Sequence, residues 1–429
     1  MLKLNVDPRG LIHLGKMSGG YFITTIINQA LPFLILPILT RYLNPEEYGN
    51  IALFNFYFLL SNAIVGVSVH AVISKHFFER PKEYTAKIIG NSIFLVGILS
   101  LILVVVVLLA YPFFNLIFNL PLKWLILIPV TSFCFIIFNI SLLIMRNKRE
   151  IVTFTKFQVG NTLINISISL VLIIFLLWGW QGRILGIILA FFISSVISFS
   201  YLKRNGYVCF KISRKIKNYI LSIIIPLIPN SMQAVIVSQV GFFFIQFYFS
   251  KELLGLYSIA FQICMAIRLL VVTINMSWTP HFYEQFSKIN QLNKVYLTRM
   301  FLTLTLILII GVIFINIMSE YILKVMTTPE FYKSREFIKW ITLGFLFEGM
   351  NIFLFPIFIN NSKQAFVSMI SLFSILLIIL LSICFIRLFG YIGVAYAFLI
   401  THIIRFLIFF IKANKLFKLP WIKAIKLWE

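Results

Sequence analysis

Charge is scarce in this chain. Asp, Glu, Lys and Arg make up 12% of its 429 residues, against roughly 25% in an ordinary soluble domain. Acidic residues number 13 against 37 basic ones. A water-soluble globule is excluded by that scarcity. Cysteine is rarer still: Cys134, Cys209, Cys264 and Cys384 are the four in the chain. Three lie inside apolar runs and none has metal-ligand spacing, so neither a disulfide framework nor a zinc site is expected. The N-terminus "MLKLNVDPRGLIHLGKMSGG" lacks the apolar centre and small-residue cleavage site of a secretory signal. The first spanning helix is therefore expected to stay in the mature protein. A Gly-rich loop ending in Lys-Ser or Lys-Thr is missing too, so an ATP-driven pump would need a separate subunit. Stretches between apolar runs, around residues 202 to 216, 279 to 296 and 319 to 336, are each under about 20 residues, too short to bury a core.

What the chain does have is apolar length. Hydrophobic residues reach 61%, and runs such as "SLILVVVVLLAYPFF" and "LINISISLVLIIFLLWGW" approach the roughly 20 residues a helix needs to cross a bilayer. They are continuous rather than alternating, which disfavours an outer-membrane barrel. About twelve spans are expected, starting near residues 18, 50, 88, 120, 157, 184, 217, 255, 297, 337, 364 and 391. With a cytoplasmic N-terminus, roughly 26 of the 37 Lys and Arg fall on the cytoplasmic side and about 9 on the other. Both termini are therefore expected inside. The formal net charge of +24 gathers in "YLKRNGYVCFKISRKIKNY", "MRNKRE" and "KANKLFKLPWIKAIK", where topology and anionic headgroups account for it without nucleic acid.

The chain also repeats itself. Tyr42, Glu46 and Gly49 of "LTRYLNPEEYGNIALF" match Tyr248, Glu252 and Gly255 of "IQFYFSKELLGLYSIAF", about 206 residues on. "HFFE" at His76 to Glu79 returns as "HFYE" at His281 to Glu284, about 205 residues on. One single-residue length change between the anchors reconciles the registers. Two halves, residues 1–210 and 211–429, with six spans each, share one orientation and an axis along the membrane normal. The two tetrapeptides are expected at equivalent cytoplasmic span ends. A His-Glu metal pair is conceivable at that spacing, but their aromatic neighbours suit an interfacial anchor better, and no metal or cofactor is expected.

The stretch "LPFLILPILTRYLNPEEYGNIALF", with Arg41, the Asn44-Pro45-Glu46-Glu47 turn and Gly49, resembles the opening of polysaccharide biosynthesis flippases of the O-antigen type. Span count, six-plus-six division and the aromatic-rich "NMSWTPHFYEQF" extend the likeness over the chain. These flippases share a superfamily with lipid II flippases and multidrug extruders. The resemblance implies an all-α integral membrane protein with two six-helix lobes, pseudo-two-fold symmetry and a V-shaped central cavity. It also implies transfer of undecaprenyl-pyrophosphate-linked oligosaccharide, of O-antigen, lipopolysaccharide or capsule type, from the cytoplasmic to the periplasmic leaflet of a bacterial inner membrane by alternating access. Polysaccharide polymerase and chain-length proteins are then expected partners, beside the membrane lipids.

A pyrophosphate cargo calls for a cationic cleft, and ionisable residues inside spans are where to seek it. Arg268 sits roughly 20 Å into its span. Asn275 and Cys264 project within about 40° of it, forming a polar stripe, and Asn55 and Asn62 form a like pair in span two. The 206-residue register pairs Asn62 with Arg268, so the two stripes are expected to face each other. The competing reading is that Arg268 snorkels to headgroups. Arg405 and His402 read as snorkelling, since Arg405 is only roughly 9 Å from the basic edge. Arg41, Lys75 and Arg146 stand at span ends, where they either guide phosphate or anchor helices. Glu348, the one carboxylate near mid-span, either couples transport to H+ or Na+ or pairs with Arg268.

Two other functions remain open. A membrane oligosaccharide polymerase or ligase would carry a long periplasmic loop with catalytic basic residues, which is missing. A multidrug extruder of the same fold would work against a cationic cleft, because its usual substrates are cations themselves.

Overall fold

The computed structural model describes residues 24, 27, 28, 31, 33–66, 69–287, 291–421 and 424. Among them every regular element is helical. Most of the span expected near residue 18, with Pro32, lies outside the described residues, as do the side chains of Lys75, Pro226 and Pro229. The helices are α1 (Phe33–Tyr42), α2 (Pro45–Val65), α3 (Val69–Glu79), α4 (Lys82–Leu109), α5 (Tyr111–Phe118), α6 (Leu122–Asn147) and α7 (Ile151–Leu170), which ends in a π turn at Val171–Phe175. Then come α8 (Gly179–Arg204), α9 (Arg214–Tyr248), α10 (Lys251–Ser287), α11 (Gln291–Met326), α12 (Arg335–Asn360), α13 (Gln364–Phe389) and α14 (Gly393–Phe417).

Nine stretches among the described residues are long and apolar enough to cross a bilayer, and one of them, Gln364–Phe417, comprises both α13 and α14. Expected spans two to six fall on α2, α4, α6, α7 and α8, and spans eight to twelve on α10 to α14. The seventh falls on α9, whose described apolar portion is Val235–Tyr248.

Helix starts follow from the sequence. In α2 the Asn44 side chain accepts from the Glu47 backbone N–H at 2.9 Å, and the Glu47 carboxylate accepts from the Asn44 N–H at 3.1 Å. That reciprocal cap, with Pro45 in the first turn where its missing N–H costs nothing, explains the "NPEE" turn. At the matched start of α10, Ser250 Oγ accepts from the Leu253 N–H at 3.2 Å, so the repeat uses an N-cap at both places.

By internal contacts the chain forms two compact units, Met1–Leu43 with Asn50–Met232, and Asn44–Gly49 with Gln233–Glu429. The division falls within α9 rather than at residue 210. The segment before α9 is pinned to α4: the Cys209 N–H donates to Ala86 O at 3.1 Å, Asn91 Nδ2 to Lys211 O at 3.0 Å, and the Ser213 N–H to Asn91 Oδ1 at 3.0 Å. Residues 44–49 join the second unit through Tyr48, whose ring meets Phe331 edge-on at 5.3 Å, and through a reciprocal glycine contact. A Cβ on Gly49 would overlap the Lys251 carbonyl, and one on Gly255 would overlap the Pro45 carbonyl. The two glycines are a matched pair of repeat anchors, and each contact falls one residue before the partner's anchoring glutamate.

Each unit is organised around one enclosed helix. In the first, α6 packs against α4 and α8; in the second, α12 packs against α10, α11 and α14. The two tetrapeptides also take comparable roles. His76, at the end of α3, bonds Tyr219 Oη through Nε2 at 2.8 Å and meets the Tyr84 ring edge-on. His281, near the end of α10, bonds Tyr296 Oη at 3.1 Å. In each unit the histidine therefore leans on a tyrosine in the first turns of the next long helix. α10 runs unbroken, whereas its counterpart divides into α2 and α3 after Gly66, between the anchors where the one-residue length difference falls. Where α6 meets α7, the Glu150 carboxyl is raised by burial, but hydrogen bonds from Lys148 and Tyr201 outweigh this and hold it below its ordinary range.

Gly255→Val should destabilise the protein by about 1 to 3 kcal/mol, because the added atoms meet fixed backbone. Gly160→Ala, at a helical site with nothing within 4 Å, should instead add about 0.5 to 1 kcal/mol. Thermal melting in detergent separates the two, and equal melting points for Gly255→Val and the parent would show that the contact is unimportant.

A candidate anion-binding cavity

Polar residues converge at one place inside the second unit. A cavity of about 160 Å³ is bounded by Gln233 and Ser238 of α9, Arg268 of α10, Glu348 and Asn351 of α12, and His402 and Arg405 of α14. Helical spacing places them there: Glu348, Asn351 and Phe355 lie at i, i+3 and i+7, as do His402, Arg405 and Phe409, so each trio shares a helix face. Small residues let the helices close in. A Cβ on Gly349 would crowd Leu308 of α11 and Val271 of α10, and one on Gly344 would press into the Phe398 ring of α14, a use of glycine common between membrane helices. Trp278 Nε1 donating to Phe353 O at 2.9 Å, and Asn316 Nδ2 to Thr342 Oγ1 at 2.9 Å, fasten α10 and α11 to α12.

Arg268 Nε lies 3.8 Å from Glu348 Oε1, long for a hydrogen bond but close enough for the charges to interact. Glu348 is thus brought to Arg268 rather than left alone in its span. Arg405, expected to reach for the basic edge, instead turns into the cavity. Its guanidinium stacks 5.5 Å from the Phe409 ring centroid, and its Nε is buried without a protein partner. His402 is 2% exposed and Asn351 4%; neither ring nitrogen nor either amide atom finds a hydrogen-bond partner in the protein. Two guanidiniums face one carboxylate, so with Glu348 ionised the cavity carries an excess positive charge and several unused donors. That is the electrostatics of an anion site.

The remaining candidates separate. Cys264 is fully buried and its thiol points at Ile338 O, 3.6 Å away, while Asn275 accepts from Thr279 Oγ1 at 3.0 Å and lies outside the cavity. The expected α10 stripe therefore contributes only Arg268, because α12 covers its upper part. Asn62 is buried in the first unit with no partner for either amide atom, beside Ser61, whose hydroxyl accepts from Ser132 Oγ at 2.9 Å. Asn55 is exposed on α2, and Arg41 and Arg146 are exposed at the ends of α1 and α6. Gln233 and Asn351 escaped sequence reasoning, while Arg405 and His402 were noticed there but read as snorkelling. The available signal was polar spacing within α12 and α14: Asn351 follows Glu348 by three residues, as Arg405 follows His402.

Residues 14–286 match the family model described as polysaccharide biosynthesis protein. The chain belongs to that family. Curated relatives of the chain are distant. One, "Lsg locus putative protein 1" of Haemophilus influenzae (strain ATCC 51907 / DSM 11121 / KW20 / Rd), is 22% identical over 65% of this chain and 69% of its own length. Another from the same strain, an "uncharacterized membrane protein", is 23% identical over 63% of this chain and 65% of its own length, just under two thirds. Among solved structures, the lipid II flippase MurJ in an inward closed conformation superposes with a TM-score of 0.75 at 17% identity, covering 94% of this chain and 90% of that one. An inward-facing multidrug resistance MATE family transporter of the MOP superfamily gives 0.71 at 16% identity, covering 91% and 96%. The chain thus has the multi-pass fold of these membrane transporters.

Proposed function

We propose that this protein is a flippase that carries undecaprenyl-pyrophosphate-linked oligosaccharide units from the cytoplasmic to the periplasmic leaflet of a bacterial inner membrane, with both termini cytoplasmic. The observation that carries the reading is the excess of guanidinium over carboxylate in a cavity among membrane-spanning helices, joined to membership of the polysaccharide biosynthesis family. A pyrophosphate must shed water to leave the headgroup layer, and paired arginine forks replace those hydrogen bonds. Arg268 and Arg405 are the anchors in this account. Glu348 holds Arg268 while no cargo is bound and takes up H+ or Na+ when cargo displaces it. Arg41, Lys75 and Arg146 attract phosphate toward the helices, and Asn55, exposed on α2, offers neutral hydrogen bonds to sugar hydroxyls. Flipped units then pass to polymerase and chain-length proteins. A multidrug extruder of this fold is disfavoured by the same excess positive charge, which repels cationic drugs.

Depletion of the protein should make lipid-linked single units accumulate in the cytoplasmic leaflet, where they stay protected from a periplasmic glycosidase in intact cells. Accumulation on the periplasmic side would point to a polymerase instead.

A further inference from the structure

A second cavity, of about 590 Å³, opens on the first unit. Its walls are apolar: Phe94, Gly97 and Leu101 of α4, Phe133 of α6, Val196 of α8, and Phe210 from the segment before α9. From Phe94 to Leu101 it runs about 10 Å along α4, away from that helix's basic end. At the Phe94 end the Lys217 ammonium sits 5.6 Å from the Phe94 ring centroid. Phe210 forms the lip there, 6.1 Å from the Phe199 ring. Residues 203–217 contribute Lys203, Arg204, Lys211, Arg214, Lys215 and Lys217 with no acidic residue among them.

We infer that this groove binds one acyl chain of an anionic phospholipid, whose phosphate is held by Lys217 and the neighbouring basic residues of 203–217. Size, position and charge each favour that occupant. The groove runs about 10 Å along α4, which suits the upper part of one fatty chain, whereas an undecaprenyl chain is several times longer. The groove starts at the basic rim and descends into the apolar part of α4, α6 and α8, as an acyl chain does below its headgroup. Basic residues beside a membrane favour acidic over zwitterionic lipid by about fivefold each. Because Asn91 ties the same segment to α4, a bound lipid bridges α4, α8 and the stretch that leads into α9.

The test uses the full-length protein in nanodiscs containing phosphatidylglycerol with a photoreactive group on one acyl chain, with adducts located by mass spectrometry. Adducts are expected on Phe94 to Leu101 and near Val196. Phosphatidylcholine carrying the same label should react at least about fivefold less, the factor contributed by a single basic residue. Lys217→Gln should lower phosphatidylglycerol labelling by a similar factor and Lys217→Arg should restore it, while Gly97→Leu, which fills the groove, should remove labelling by both lipids. Thermal melting confirms that each variant is folded. Equal labelling by the two lipids, unaffected by Lys217→Gln, would overturn the inference and leave an ordinary lipid-facing hollow. Displacement of the label by equimolar undecaprenyl phosphate would overturn it as well, marking the groove as a carrier-tail site.

Discussion

Arg268→Ala should abolish surface-glycan export at parental protein levels, and Arg268→Lys should retain an intermediate fraction. Each charge-assisted hydrogen bond from the guanidinium to a phosphate oxygen contributes about 1.5 to 3 kcal/mol, roughly 10- to 150-fold in affinity. Lysine keeps the charge but loses the planar fork, and alanine loses both. The cavity adds a second expectation. Arg405 faces the same space, so Arg405→Ala should weaken export in the same direction, and the double variant should be less than additive because the two share one ligand and one carboxylate. Export is read by glycan labelling on intact cells. Normal export by Arg268→Ala would remove this cavity from the transport path and direct attention to Arg41 and Arg146.

Glu348→Gln is expected to cut the link between transport and the ion gradient. Glutamine preserves shape and keeps an amide oxygen facing Arg268, but it neither binds Na+ with a full charge nor exchanges a proton. The substitution also removes the negative charge 3.8 Å from Arg268, leaving both arginines free for phosphate. Cargo should therefore bind more tightly and be released more slowly, so turnover falls while binding rises. Proteoliposomes with imposed proton or sodium gradients, assayed with lipid-linked oligosaccharide, check both halves. Gradient-driven turnover equal to that of the parent at every pH and sodium level would show that Glu348 is only a structural partner of Arg268.

Span positions were readable because bilayer thickness dictates apolar length, and ten expected starts lie within several residues of α2, α4, α6 to α8 and α10 to α14. The anchors were readable because they are local devices: Asn44 and Ser250 cap helices, and His76 and His281 each meet a tyrosine. The site was only half legible. Arg268 and Glu348 stand out as charges in apolar runs, but which residues join them depends on how α9, α12 and α14 pack. Arg405 shows why. Measured along its own helix it lies near the basic edge, yet the neighbour that matters is Glu348 on α12, and sequence distance carries no information about that. Cys264 errs the other way, aligned with Arg268 on α10 but covered by α12 at Ile338 O.

The reciprocal contact of Gly49 with Lys251 and of Gly255 with Pro45 bears on how the chain diverged. In a symmetric pair of identical six-helix halves, one substitution at this glycine would spoil two contacts at once. A single chain lifts that constraint, since either position can change alone. Glycine nonetheless stands at both positions here, because each faces backbone, which no substitution in the other copy can move aside. Further along the matched helices the side chains differ: Asn62, beside the hydrogen-bonded serines Ser61 and Ser132, occupies the register position of Arg268, so a charge in one stretch answers to a neutral amide in the other.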